Sequence, residues 1–106
     1  MADTLTGKGY AVTASSLAAL TAGGSETITL IGITIANVHA TDACWVTADV
    51  IRSGTNSELA HQVSIPVNDS LDLLQGKVVL NSNDVLKLQA EAGLKLEASL
   101  SYLVQT

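Results

Sequence analysis

The stretch that decides the fold is the last one, Leu94-Lys95-Leu96-Glu97-Ala98-Ser99-Leu100-Ser101-Tyr102-Leu103-Val104-Gln105. Leu94, Leu96, Ala98, Leu100, Tyr102 and Val104 fall on one face. Lys95, Glu97, Ser99, Ser101 and Gln105 fall on the other, with Leu103 as the exception. Successive side chains of a strand point to opposite faces, so a period of two is the mark of a half-buried strand. A helix would scatter both sets around its axis.

The same alternation reads backwards through the chain. In residues 85–90, Leu86, Leu88 and Ala90 oppose Lys87 and Gln89. Residues 78–80 make a short strand. In residues 59–65, Leu59, His61, Val63 and Ile65 share the face predicted to be buried. In residues 44–51, Val46, Ala48 and Val50 oppose Trp45, Thr47, Asp49 and Ile51. Residues 28–37 are rich in Ile and Thr, both strand formers. Their phase switches at Gly32, which predicts a β-bulge or bend there. Residues 10–14 read as a first strand. Residues 17–22 read as a strand or a loose turn, and residues 14–22 and 70–75 could each hold at most one helical turn.

Turn signals separate these runs: Ala22-Gly23-Gly24-Ser25, Ser53-Gly54-Thr55-Asn56, Pro66-Val67-Asn68-Asp69-Ser70, Gln75-Gly76, Asn81-Ser82-Asn83-Asp84 and Ala92-Gly93. Gly, Asn and Asp tolerate the positive φ that tight turns need. The expectation is an all-β chain: a single antiparallel β-sandwich of seven or eight short strands, jelly-roll-like or immunoglobulin-like. It forms one domain over residues 1–106, with residues 1–9 as a flexible or docking N-terminal arm.

Composition narrows the function. Hydrophobic residues make up 47% of the 106, which excludes disorder. The net charge is −5, from 5 basic and 10 acidic residues. That leaves no basic footprint for nucleic acid and no cationic face for a membrane surface. No apolar run is long enough for a membrane helix and no signal peptide is visible, so synthesis in a cytoplasm is expected. Charged residues are only 14%, against about 25% in an average soluble domain. Ile51 and Leu103 also fall on faces that otherwise read polar. Both features predict that part of the surface is covered by copies of the same chain or by a larger assembly.

No catalytic constellation is visible. His39, in a loop, and His61, hydrogen-bonded and partly buried on its strand, lack the spacing of a metal site. Cys44 has no basic neighbour in sequence and reads as a small buried hydrophobe. Asp69 and Asp72, like Asn81, Asn83 and Asp84, read as turn chemistry and not as a calcium loop. Gly7, Lys8 and Gly9 lack a Walker pattern and fit the N-terminal arm. Tyr102 belongs to the core. Trp45, out of phase with Cys44 and Val46, is a candidate for a contact between subunits. No catalytic residue, metal or cofactor is expected, and the chain is not read as an enzyme.

The second half contains Val63-Ser64-Ile65-Pro66, then Ser70-Leu71-Asp72-Leu73-Leu74-Gln75-Gly76-Lys77-Val78-Val79-Leu80. Asn83-Asp84-Val85-Leu86-Lys87-Leu88-Gln89-Ala90 and Ser99-Leu100-Ser101-Tyr102-Leu103 follow. With Ile31-Gly32-Ile33-Thr34-Ile35-Ala36-Asn37, this resembles small β-sandwich virion proteins of tailed bacteriophages, including phages of cyanobacteria, over about residues 26–104. The resemblance implies a structural protein of the virion. Such proteins serve as capsid decoration (cement) proteins, held by the major capsid protein and commonly trimeric, or as tail, neck or fibre components. It implies a homo-oligomer, with a trimer favoured, and an N-terminal arm anchored on the capsid. The candidate interface residues are then Lys8, Tyr10, Trp45 and Leu103.

Overall fold

The computed structural model describes residues 3–38, 41–52, 54–74, 77–91 and 93–106. His39 and the Gln75-Gly76 turn lie outside the described residues. Nine strands follow one another: β1 (Asp3–Val12), β2 (Leu17–Thr21), β3 (Thr27–Ala36), β4 (Cys44–Arg52), β5 (Thr55–Ile65), β6 (Ser70–Asp72), β7 (Val78–Leu80), β8 (Val85–Ala90) and β9 (Leu96–Gln105). No helix occurs among the described residues, so residues 17–21 and 70–72 are strands and not helical turns.

All pairings are antiparallel. Sheet A has the order β1-β9-β3-β6, with β7 also paired to β3; sheet B has the order β2-β8-β4-β5. β6 and β7 lie end to end along β3, facing residues 34–36 and 28–30. Counted as one interrupted strand they leave eight, and the pairs then nest: first with last, second with second-last, and so inward to the β4–β5 hairpin. This is the connectivity of a jelly roll. An immunoglobulin sandwich instead pairs its first strand with its second.

One core fills the space between the sheets. Val12, Ile28, Leu30, Ile33, Ile35, Leu80, Leu96 and Leu100 come from sheet A, and Leu20, Val46, Val50, Ile65, Leu86 and Leu88 from sheet B. Tyr102 joins them at 4% exposure, with Cys44 fully enclosed. Burial alternates along β9 and β8 as the sequence dictates. In β3 the register slips by one between Leu30 and Gly32. Ile31 is the extra residue, and it points out while Ile28, Leu30, Ile33 and Ile35 point in.

Local chemistry closes the turns. Backbone N–H groups of Glu26, Asp69, Asp84 and Leu94 donate to the carbonyls three residues earlier. Asn68, Asn83 and Gly93 take the positive φ in the last three of these reversals, and Gly54 does so between β4 and β5.

Two expectations are corrected. The segment read as an arm is a strand: residues 3–12 pair with β9 without a break, from Asp3 opposite Gln105 to Val12 opposite Leu96. Residues 3–8 are exposed or half-buried, so the segment carries no burial alternation. His61 is not on a buried face. β5 carries two register shifts against β4, and Gln62 has a φ of 48°. These bulges turn the His61 side chain out, 65% exposed, with Nδ1 2.6 Å from Glu58 Oε2.

Candidate functional site

The outer face of sheet A is the most distinctive surface. Register places Leu5, Leu103, Thr29 and Val79 in one row across four strands. Leu5 is 72% exposed, Val79 41% and the neighbouring bulge residue Ile31 45%, while Leu103 is half-buried. The next rows carry small side chains: Gly7 beside Ser101 and Gly32, then Gly9 beside Ser99 and Thr34. Asp72 joins the Gly9 row through Thr34, Glu97 follows in the next row, and Asp3 lies beyond Leu5 at the other end. The face is therefore uncharged in the rows of Leu5 and Gly7, with an apolar row near the chain ends and acidic residues in the rows on either side.

The four residues singled out from the sequence do not form one site. Leu103 lies in the apolar row. Lys8 and Tyr10 lie on β1, on the opposite face of the sheet from Leu5. Lys8 is exposed beside the buried Leu100. Tyr10 is half-buried, and its hydroxyl donates to the Ala19 carbonyl at 2.6 Å, which ties sheet A to sheet B. Trp45 is half-buried on the outer face of sheet B, where its backbone N–H donates to Glu91 Oε1 at 3.3 Å. Leu5, Ile31 and Val79 were not predicted. Their common row depends on cross-strand register, which a single strand's pattern does not encode.

The groups that could support chemistry are engaged in structure. Burial, above all, raises the Cys44 thiol pKa and keeps it protonated. Asp69 and Asp72 accept the N–H groups of Ser70 and Leu74, and Asp84 accepts that of Asn81. Arg52 reaches Asp84 at 3.6 Å and donates to the Val79 carbonyl at 2.7 Å. Asn37, 2% exposed, donates its amide to the Asp42 and Ile65 carbonyls, both at 2.9 Å. Asp49 differs. It stands between Glu58 and Lys87 on the outer face of sheet B, with one carboxylate oxygen buried and unpaired. Burial, then the Glu58 charge, raises its pKa, while His61 and Lys87 act the other way.

Among the described residues, no three His, Cys, Asp or Glu side chains are grouped to hold a metal ion. The surface hollows at residues 36–38 and 68–70, along the β1–β9 ladder at Tyr10 and Glu97, and at Ser25 and Gln105 are open, at about 370, 310 and 230 Å³. Comparison with known proteins found no matching family model, no matching curated protein and no matching solved structure.

Proposed function

We propose that the chain is a non-catalytic structural protein of a bacteriophage virion, and within it a capsid decoration protein binding between major capsid subunits. The observation that carries this reading is the outer face of sheet A, with its apolar row of exposed Leu5 and Val79 and half-buried Leu103, and the uncharged Gly7, Ser101 and Gly32 beside it. An apolar row on the outer face of a sheet suits contact with another protein surface better than enclosure of a small substrate. Its mechanism would be mechanical: about 25 cal/mol for each Å² of apolar surface removed from water, repeated over many symmetric sites.

The measurement is the copy number of this chain per particle in purified virions of its source, relative to the major capsid protein. Hundreds of copies support decoration. A few dozen or fewer move it to the tail, neck or fibre, and none rejects the virion reading. Trp45, half-buried on the other sheet's outer face, favours a second reading as a tail or fibre module that adheres to glycans. Loss of glycan binding in Trp45→Ala, with assembly intact, would select it.

A further inference from the structure

The two sheets have four edges, and three of them are blunted. β2 has 5 residues and a register shift, β5 carries two shifts and a positive φ at Gln62, and β6 and β7 are two pieces of 3 residues each. Such features stop a sheet from adding strands. β1 has none of them. It runs for 10 residues in unbroken register with β9, contains no proline, and has no described strand on its other side. Its backbone groups on that side form a straight template for another strand.

We infer that this edge is where a second copy of the chain docks, through two-fold antiparallel pairing of β1 with β1. Charge favours a copy at this place. The chain carries −5 overall, yet β1 holds one Asp and one Lys and sums to zero. Side-chain pattern favours it too. Directly opposed residues of antiparallel strands share a face, so a two-fold pairing must be centred on a residue. A centre at Lys8 would oppose two lysines. Centres at Thr6 or Gly7 oppose Lys8 to Thr4 or Thr6, and Leu5 to Gly7 or Gly9. In both, the most exposed leucine of one copy covers a glycine of the other, where no Cβ competes for space. The contact is isologous and closes at two, so it gives a dimer and not the trimer that the phage resemblance favours. It does not depend on the virion reading.

Light scattering on the purified chain is expected to give twice 10.9 kDa at micromolar concentration, with the β1 amides that do not bond to β9 protected from hydrogen exchange in the dimer and released on dilution. Raising salt should tighten it, because the two copies repel at −5 each. Leu5→Lys/Gly7→Lys should weaken dimerisation at least about tenfold by setting like charges across the two-fold. Leu5 is exposed, and a Cβ at Gly7 meets only the Leu100 carbonyl, at 3.7 Å. Val38→Lys/Val67→Lys makes the same charge change at two exposed residues off β1 and should leave the dimer intact. A monomer at high micromolar concentration, a trimer, or a dimer with freely exchanging β1 amides would overturn the inference. The exchange readout uses the unaltered chain, so it decides even if the double variant fails to fold.

Discussion

Leu96 has no exposed surface and faces sheet B from the start of β9, opposite Val12. Leu96→Asp puts an unpaired charge where neither water nor a partner can reach it, a cost above about 4 kcal/mol. We expect no cooperative melt, and a soluble variant with native circular dichroism would refute the register. Asp49 supplies the opposite case, a charge the native state already holds poorly. Its pKa is raised above the unfolded value of 3.8, so the folded chain binds that proton more tightly than the unfolded chain. The resulting stability is complete below the unfolded pKa and is lost as pH rises through the raised one. At neutral pH the ionised Asp49 is therefore a weak point. Asp49→Asn should raise stability there and flatten the decline with pH, both read from denaturant melts from the acid range to neutral pH.

The bulge in β3 makes a prediction at the scale of the element. Leu30 opposes Tyr102 facing in, and Gly32 opposes Ser101 facing out, so removing Ile31 restores simple alternation. Deletion of Ile31 should fold with a loss of about 1 kcal/mol or less, because the residue is exposed. Deletion of Thr34 lacks that slack. It sets Ile33 and Ile35 in opposite phases and should abolish the thermal transition. β3, β4, β8 and β9 were legible in the sequence because each is covered on one face, and burial writes a period of two. Gly32 marked its bulge for the same reason. β1 was legible only over residues 10–12; residues 3–9 are exposed but for half-buried Thr6, so no burial period marks them in the sequence. His61 was misplaced because one bulge of β5 falls at His61 and Gln62 and the other at Leu59, and Gln62 is a residue with no tendency to announce a positive φ. The apolar row was half-seen: Leu103 broke its strand's pattern, but Leu5, Ile31 and Val79 join it only through pairings between distant segments.

The whole molecule is a long hairpin bent over on itself, elongated to 47 × 27 × 21 Å. Its first strand waits for its last, so native order depends on contacts far apart in sequence, and folding should be slow for a chain of this length. That nesting sets residue 3 beside residue 105. The backbone is in effect a ring with a single cut, and the position of the cut is incidental to the architecture. Splicing the two ends through a short flexible linker should leave the sandwich unchanged while restricting the unfolded chain, with a gain of up to about 3–4 kcal/mol. Reopening the circle at Gly54, in the β4–β5 turn, should give a permuted protein with the same exchange-protected core. The adjacency of residues 3 and 105 also dictates how the domain can be carried by another protein. A polypeptide fused to either end leaves from the same pole, so the entire unit can be set into a host loop like a bead on a doubled thread.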